Sequence, residues 1–547
     1  MIAMAASSFI VVALMLPFVT ESYSNGALSL GSRGSGFRRS TLLRSSPAAT
    51  APMEVANNGG VVSESNPLKV IVAGAGVGGL VFASSVRKCS EIDVVVVEKA
   101  SKFKRFGGPI QLASNALQVL KEMDGDDGNI YDEIMSVFTN TGDKTNGIKD
   151  GIRDDWYAKF DLKSPAEQRN MPYTGVIDRP DLQEILLNSL HGDTVRNGVG
   201  ITGYQNNKDN TVTVNMDDGT HETCDVLIGA DGIWSAVRAA MRDEPVRGDG
   251  SGVKYSGYTV FAGELAYDSP DNGEVGYKVY IGPQQYFVIT DIGKGNYQWY
   301  AFLAMPAGSA VNLAKTQDGN VPYLTDVFKG WSSDIHAILG ATKEHEIEQR
   351  DLYDRPPSVT KPWTDGNAVL MGDAVHAMMP NLGQGGCQAI EDALVLKDEL
   401  LQVSEKSEIS DRLVSYRNRR LVRSAAVQGL SRFASDIIIK GFDTPCKVVY
   451  TKEKGLKFEN FGYAGVVTKI MQPILPIFFT VQFAFLYDGY KNKKAVDLAA
   501  GLGLFAVGSV LLILGGSIAG ETSFLAGLGL GLGFEGFENA IQGITQN

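Results

Sequence analysis

The chain has 547 residues, of which 44% are hydrophobic and 20% charged, and a formal net charge of −12. It is long enough for a large core and at least two domains. Its acidity argues against nucleic acid as a partner, because nucleic acid requires a basic face. The four cysteines show neither metal-ligand spacing nor a close pair, and the five histidines are scattered. We therefore predict no metal site and no disulfide framework.

The first 53 residues have the composition of a targeting presequence. Ile2 to Val19 is almost wholly apolar, like the hydrophobic region of a signal peptide, although no basic region precedes it. From Ser22 to Met53 there is no acidic residue, while arginines occur among many serines. Such a segment is typical of a transit peptide. The two parts together resemble the presequence of algae with complex plastids, which predicts a plastid protein. The alternative is a secreted or membrane-anchored protein.

The first glycine-rich segment stands in the context of a dinucleotide-binding unit. The apolar run Leu68 to Ala73 predicts a buried parallel strand, and Leu80 to Arg87 predicts a helix. Between them lies the glycine-rich sequence of residues 74–79. A second apolar run, Ile92 to Val97, ends at Glu98. An acidic residue about 20 positions after the glycines is expected to accept hydrogen bonds from a ribose.

Each glycine of this segment has an expected role. Gly74 permits the tight turn, Gly76 lets the backbone approach a pyrophosphate, and Gly79 allows close packing of helix on strand. Ala75 belongs to the same binding loop. The N-terminus of the helix presents free N–H groups and a positive dipole end to the phosphates. The alternative, a glycine turn that binds nothing, fits the surrounding strands and Glu98 less well.

Two later segments complete the expected nucleotide site. One is the sequence of residues 225–232, which ends in Asp231 and Gly232. The other begins with the apolar run Ala368 to Met371 and continues into Gly372 and Asp373. Open α/β sheets bind ligands at the carboxyl ends of their strands. We therefore expect Asp373 to accept hydrogen bonds from the ribityl hydroxyls of a flavin. An ordinary turn aspartate is the alternative.

A loop and a helix follow this third segment. The loop runs from His376 to Gly386, and Cys387 to Leu400 predicts a helix. Its dipole would favour the negative charge of a reduced flavin. His376 is either a hydrogen-bonded loop residue or a participant in the chemistry. The loop residues expected to contact the flavin ring are Pro380, Gly383, Gly385 and Gly386.

These motifs resemble those of the class A flavoprotein monooxygenases, which have the para-hydroxybenzoate hydroxylase-like fold, and among them those of the zeaxanthin epoxidases. The resemblance extends from about Pro67 to Tyr490 and rests on three runs, residues 108–117, His376 to Asp392 and Val481 to Tyr487. It implies FAD as cofactor. It also implies that Arg179 contacts FAD and that the Asp231 motif serves both FAD and NADPH.

The chain departs from the plant zeaxanthin epoxidases in two places. They carry a forkhead-associated domain at the C-terminus, where this chain has a hydrophobic tail. They also have an arginine where this chain has Gly107. These departures concern the substrate more than the cofactor.

The predicted fold class is α/β, with a Rossmann-type FAD-binding domain, an inserted mixed or antiparallel substrate domain, a helical C-terminal region and a hydrophobic tail. Alternating aromatic residues between Gly252 and Pro306 predict an antiparallel sheet. The expected segments are a presequence (1–53), FAD-binding parts (66–138, 172–250 and 350–400), a substrate hairpin (139–171), a substrate domain (251–349), a helical membrane-interacting region (401–490) and the tail (491–547).

The C-terminal third suggests contact with a membrane. Ile470 to Tyr487 is apolar and interrupted by two prolines, as in a helix that lies in a membrane interface. Leu498 to Gly520 carries no charge and is long enough to cross a hydrocarbon core of ~30 Å. A buried soluble hairpin is the alternative. The arginines at 417, 419, 420 and 423 are expected to form a solvated basic face.

The resemblance implies epoxidation of the β-ring double bond of a xanthophyll through a flavin C4a-hydroperoxide. Molecular oxygen and a carotenoid would be the substrates, and NADPH or reduced ferredoxin the electron donor. The thylakoid membrane, ferredoxin and light-harvesting proteins would be partners. We name no catalytic residue, because the cofactor carries this chemistry. Two alternatives remain open: an aromatic hydroxylase, and a non-catalytic paralogue that binds FAD and pigment.

Overall fold

The computed structural model describes residues 60–488, except 103–107, 126–127, 310–318, 437–443, 453–454 and 474. The predicted presequence (1–53) and hydrophobic tail (491–547) lie outside the described residues. Among the described residues, no helix is both long and apolar enough to span a bilayer.

The strands of the first half of the chain are β1 (Leu68–Ala73), β2 (Ile92–Glu98), β3 (Ile110–Leu112), β4 (Thr139–Asn140), β5 (Thr145–Asp150), β6 (Trp156–Lys159), β7 (Gly175–Ile177), β8 (Val195–Asn197), β9 (Ile201–Asn206), β10 (Val212–Met216), β11 (His221–Cys224) and β12 (Val226–Gly229). Those of the second half are β13 (Lys254–Ala266), β14 (Val275–Gly282), β15 (Gln285–Gly293), β16 (Asn296–Ala304), β17 (Ile347–Asp354), β18 (Thr364–Asp365), β19 (Ala368–Leu370), β20 (Lys447–Thr451) and β21 (Gly455–Glu459).

The helices of the first half are α1 (Val77–Val86), α2 (Ser114–Asp124), α3 (Ile130–Val137), α4 (Lys163–Gln168), α5 (Arg179–Asn188) and α6 (Ala236–Arg242). Those of the second half are α7 (Asn320–Val327), α8 (Ser333–Ala341), α9 (Asp373–His376), α10 (Gly385–Leu400), α11 (Ile409–Asp436), α12 (Tyr463–Met471) and α13 (Leu475–Asp488).

The nucleotide sheet has the strand order β18-β19-β12-β1-β2-β8, and all of its strands are parallel except β18. Its central strands read as continuous apolar runs because packed side chains cover both faces. In the register of the sheet, Ala73 lies beside Gly229, and Gly229 lies beside Leu370. The three predicted glycine-rich segments therefore lie side by side, at the carboxyl ends of the adjacent strands β1, β12 and β19.

The substrate sheet has the strand order β17-β13-β16-β15-β14-β5-β6. The strands between residues 254 and 304 are antiparallel, which confirms the predicted sheet, while β14 pairs in parallel with β5. The outer strand β17 ends at Asp354, so the sheet extends past residue 349, where the predicted substrate segment ends. The division into segments remains a proposal.

The two C-terminal helices close one side of the substrate sheet. Met471 of α12 and Phe478 and Phe485 of α13 are buried in the same hydrophobic cluster as strands β5 and β15. The hydroxyl of Tyr487 shares a hydrogen bond of 2.9 Å with the hydroxyl of Thr174. One face of the segment Ile470 to Tyr487 therefore packs inside the protein.

Candidate functional site

A cavity of about 800 Å³ lies between the substrate sheet and the carboxyl ends of the strands of the nucleotide sheet. Of the residues singled out from the sequence, those that line it are Gly76, Arg179, Gly232, Gly372, Asp373, Pro380, Gly383, Gly385 and Gly386. The others, Gly74, Ala75, Gly79, Glu98 and Asp231, lie in or beside the same loops. The strand register accounts for this convergence, because strands β1, β12 and β19 end side by side.

The first glycine loop divides into packed and open positions. At Gly79 an added Cβ would lie 2.1 Å from the carbonyl oxygen of Gly74, so helix α1 packs directly on the turn. Gly74 has φ +101, and its added Cβ would lie 2.7 Å from the oxygen of Ala230. At Gly76, by contrast, the added Cβ would meet nothing within 4 Å. Gly76 therefore leaves space on the cavity side, where a pyrophosphate is expected.

Glu98 is held beside this loop at the end of β2. Its Oε2 accepts the N–H of Ala75 at 2.9 Å, and its Oε1 accepts the N–H of Ala100 at 2.9 Å. Each carboxylate oxygen keeps a lone pair for a further donor. The two backbone contacts thus orient Glu98 toward the loop and leave acceptors for ribose hydroxyls.

Asp231 is mainly a helix cap. Its Oδ2 accepts the N–H groups of Ala236 at 2.7 Å and Val237 at 3.3 Å, at the N-terminus of α6. Its Oδ1 is buried and finds no hydrogen-bond donor among the described residues. Burial raises the pKa of Asp231. Buried polar atoms are usually satisfied, so this oxygen fits a hydroxyl donated by a ligand. Gly232, with φ +78, borders the cavity next to it.

Asp373 begins helix α9 and lines the cavity, to which it is exposed. Desolvation by the protein around the cavity raises the pKa of Asp373, and the positive charge of Arg179 acts in the opposite direction. Burial lowers the pKa of Arg179, as does the neighbouring Arg350, while Asp373 raises it. The residues that line the cavity therefore include two arginines, Arg179 and Arg350, and two aspartates, Asp351 and Asp373.

Arg350 is a cavity residue that no sequence motif indicates. Arg350 lies on β17, opposite Val260 of β13, and lines the cavity. An arginine in a strand of mixed polarity gives no local signal of function. Only the pairing of β17 with the substrate sheet brings it to the cavity.

The loop expected to contact the flavin packs closely against Ile110 and Gln111. Gly383 has φ +61, and an added Cβ there would lie 2.6 Å from the side chain of Gln111. At Gly386 the added Cβ would lie 2.6 Å from Cδ1 of Ile110. Helix α10 begins at Gly385, so its positive dipole end borders the cavity. This geometry suits the developing negative charge of a reduced flavin.

The predicted basic face on α11 is wrong for two of its four arginines. Arg420 and Arg423 are 1% and 2% exposed. Arg420 donates from Nε to Oδ1 of Asp392 at 2.7 Å and from Nη1 to Oε2 of Glu391 at 2.6 Å. These ion pairs explain the burial, because a buried charge requires a partner.

One of these carboxylates, that of Asp392, also holds the loop that borders the cavity. Oδ2 of Asp392 accepts the N–H of Gly372 at 2.8 Å and lies 2.6 Å from Nε2 of His376. His376 is thus a buried, hydrogen-bonded residue. Burial raises the pKa of Glu391, but the guanidinium groups of Arg423 and Arg420 more than offset this and lower it to about 2. The carboxylate pair is therefore ionised at neutral pH.

The far end of the cavity is apolar and aromatic. The ring of Phe160 lies 5.1 Å from that of Phe479 and 5.9 Å from that of Phe483. Tyr286 and Phe302 stack at 4.1 Å on the substrate sheet. All five residues line the cavity. The sequence indicated the aromatic sheet, but it did not indicate that α13 supplies part of this wall.

These features together fit FAD. Gly76 leaves open space at the helix N-terminus, Asp231 has a buried oxygen that lacks a described donor, and Asp373 directs a carboxylate into the cavity. Arg179 and the loop at Gly385 line the same cavity, and Glu98 lies beside its first glycine loop.

The chain also resembles known proteins. It is 40% identical over 379 residues to the chloroplastic zeaxanthin epoxidase of Nicotiana plumbaginifolia, covering 67% of this chain and 55% of that protein. It is 39% identical over 371 residues to the chloroplastic zeaxanthin epoxidase of Arabidopsis thaliana, covering 66% of this chain and 53% of that protein. The chain thus spans about half the length of these relatives.

Solved structures agree on the fold. Klebsiella pneumoniae HpxO, complexed with FAD and uric acid, matches with a TM-score of 0.59 and 25% identity over 68% of this chain and 88% of that chain. A salicylate hydroxylase substrate complex matches with a TM-score of 0.61 and 20% identity over 80% of this chain and 98% of that chain. Residues 67–431 match the family described as FAD binding domain. The chain therefore belongs to this FAD-binding family, and it has the fold of the flavin-dependent monooxygenases.

Proposed function

We propose that this protein is an FAD-dependent monooxygenase that epoxidises the β-ring double bond of a xanthophyll. Zeaxanthin, converted to antheraxanthin and violaxanthin, or an algal analogue such as diatoxanthin, converted to diadinoxanthin, would be the substrate. The cavity carries this proposal: the glycine loops border one end, and Phe160, Phe479 and Phe483 line the other. An apolar ring system fits such an end, and the likeness to zeaxanthin epoxidases supports the same substrate class.

The residues that we propose to hold FAD are Gly74, Ala75, Gly76, Gly79, Glu98, Arg179, Asp231, Gly232, Gly372, Asp373, Pro380, Gly383, Gly385 and Gly386. When bound and reduced, FAD supplies the activation of molecular oxygen. One oxygen atom is added across the double bond and the other leaves as water, with two electrons from the donor and two protons. The apolar wall excludes water from this reaction, which limits loss of oxygen as hydrogen peroxide.

The electron donor is a separate part of the proposal. NADPH and reduced ferredoxin remain equal candidates, because the chain has no second dinucleotide fingerprint for NADPH. Stopped-flow reduction of the bound flavin by each donor distinguishes them. Failure of both donors would favour the non-catalytic paralogue.

We also propose that the protein acts in the plastid, at the thylakoid membrane, with ferredoxin or light-harvesting proteins as partners. The composition of residues 1–53 supports the plastid, as do the chloroplastic relatives. A fluorescent fusion of residues 1–53 should enter plastids. Secretion of that fusion would contradict the proposal.

The central test is aerobic incubation of the membrane-reconstituted protein with zeaxanthin and a reductant, followed by chromatography. Mono- and diepoxide products are expected. The aromatic hydroxylase is a second candidate, because Arg179 and Arg350 reach the cavity and a guanidinium group can bind a carboxylate. A parallel incubation with salicylate tests it: a hydroxylated product without epoxide would favour this candidate.

A further inference from the structure

A hairpin near the C-terminus exposes an unusual apolar surface. Strands β20 and β21 pair Val448 with Phe458 and Tyr450 with Leu456. Residues two apart on a strand share a face, so these four side chains project from the same side of the hairpin. They are between 50% and 69% exposed. Phe461 is also exposed, and its ring lies 5.4 Å from that of Phe458. We call these five side chains the apolar face.

The hairpin is attached to the helices that line the cavity. The N–H of Cys446 donates to the carbonyl of Gly465 on α12 at 2.9 Å. On α12, Ile470 is exposed while Met471 lines the cavity. On α13, Ile477 is exposed while Phe478 lines the cavity. At both positions, a single helix separates the apolar end of the cavity from the surface.

The charge of this region is opposite to that of the whole protein. Residues 444–472 contain five lysines and two glutamates, in a chain whose net charge is −12. The side chains of Lys447 and Lys457 on the hairpin are largely exposed. Their acidic neighbours are Asp155, 3.8 Å from Lys447, and Glu459, 3.1 Å from Lys457. An excess of positive charge therefore flanks the apolar face.

We propose that the apolar face docks on a negatively charged lipid bilayer. Exposed apolar patches rimmed by polar groups mark interaction sites, and aromatic and aliphatic side chains flanked by lysines match a bilayer interface with anionic headgroups. Docking itself does not depend on the proposed reaction, but the biological purpose of docking rests on it. Docking would bring the cavity wall formed by α12 and α13 to the lipid from which an insoluble substrate would be drawn.

The direct test places a reporter in the apolar face of the full-length chain. Phe458→Trp is mixed with vesicles of phosphatidylglycerol and phosphatidylcholine in equal parts, made with brominated acyl chains that quench tryptophan fluorescence. The control is Val422→Trp, at an exposed valine on α11 outside the face. We expect quenching beyond that of the wild-type protein for Phe458→Trp only. Equal quenching of both variants, or of neither, would overturn the proposal.

The second test addresses the charges. Lys447→Gln and Lys457→Gln should each weaken binding to the anionic vesicles by roughly fivefold, since a lysine near such a surface contributes about 1 kcal/mol. The control Lys343→Gln removes an exposed lysine elsewhere and should leave binding unchanged. Equally tight binding to vesicles of phosphatidylcholine alone would contradict a role for anionic lipid.

Two results would assign the face to another occupant. A dimer in solution that Phe458→Ser and Tyr450→Ser dissociate would indicate a second copy of this chain. Vesicle-independent burial of the tryptophan in Phe458→Trp, lost when residues 489–547 are removed, would indicate the chain's own tail. Neither test measures turnover, so failure of the docking proposal is distinguishable from failure of the proposed reaction.

Discussion

Arg423 of α11 and Glu391 of α10 form a two-pronged ion pair inside the protein. Nε of Arg423 lies 2.7 Å from Oε2 of Glu391, and Nη2 lies 2.8 Å from Oε1. The same guanidinium group donates to the carbonyls of Phe485 at 3.2 Å and Leu486 at 2.8 Å on α13. The pair therefore joins the helix that follows the flavin loop to the helix that closes the cavity.

Removal of one partner should destabilise the protein strongly. Arg423→Leu leaves Glu391 with one arginine fewer in a buried site, and we expect the free energy of unfolding to fall by about 3–5 kcal/mol. Arg196→Ala is the control, because the side chains of its pair with Glu222 are 40% and 41% exposed and a surface pair should contribute about 0–1 kcal/mol. Urea unfolding of both variants measures the difference. Similar losses would show that burial does not strengthen the pair.

The same carboxylate predicts a pH dependence. The pKa of Glu391 is lowered from 4.5 to about 2 in the folded protein. A lowered pKa stabilises the fold above pH 4.5, and this contribution is lost as the pH falls toward 2. The slope from this one group is at most about 1.4 kcal/mol per pH unit. Urea unfolding at a series of pH values should give a shallower dependence for Glu391→Gln. An unchanged slope would contradict the assignment.

Gly76→Val should abolish FAD binding. The added side chain would project into the open space on the cavity side of the loop, where the pyrophosphate is expected. Gly203→Val is a matched control on β9, because an added Cβ there also meets nothing within 4 Å. The flavin absorbance of the purified variants decides the question. Normal flavin content in Gly76→Val would rule out this loop as the phosphate site.

Asp373→Ala should weaken FAD binding by about 1–3 kcal/mol, the scale for losing charge-assisted hydrogen bonds. Asp373→Asn keeps one acceptor oxygen and should lose less. Fluorescence titration of the apoprotein with FAD gives both dissociation constants. If Asp373→Ala binds FAD as tightly as the wild type, the carboxylate does not contact the ribityl chain.

The aromatic residues at the far end of the cavity should determine the affinity for the substrate and not the affinity for FAD. Phe479→Ser removes one aromatic ring from the cavity wall. Since burying such a ring contributes about 1.5–3 kcal/mol, we expect KM for detergent-solubilised zeaxanthin to rise at least tenfold. FAD affinity should not change. Ile477→Ser, at an exposed position on the same helix, is the control. A KM that both substitutions raise equally would indicate damage to α13 as a whole.

The sequence predicted the strands and glycine turns of the nucleotide sheet well because their signals are local. An apolar run, a glycine turn and an acidic residue on the next strand lie close together, so β1, β2 and Glu98 could be located from the order of residue types. The predicted strand of residues 68–73 has the same bounds in the structure. The predicted helix after Gly386 begins two residues earlier, at Gly385.

The remaining features depend on contacts between distant residues. Arg420 and Arg423 resemble a solvated face by spacing, and their acidic partners lie 29 and 32 residues earlier on another helix. Arg350 reaches the cavity only through the pairing of β17 with β13. Residue type and periodicity carry no information about such pairings.

The strand register has a consequence for how the protein acquires its cofactor. Val70 pairs with Val226, and Leu227 pairs with Ala368, so neighbouring strands of the site are separated by long stretches of chain. Pairing between distant strands slows folding, because each loop must close before the contact forms. A nascent chain shorter than about 370 residues lacks the strand that precedes Asp373. If Asp373 holds the flavin as proposed, we expect flavin insertion to follow synthesis of nearly the whole nucleotide domain, and fragments from interrupted synthesis should be colourless.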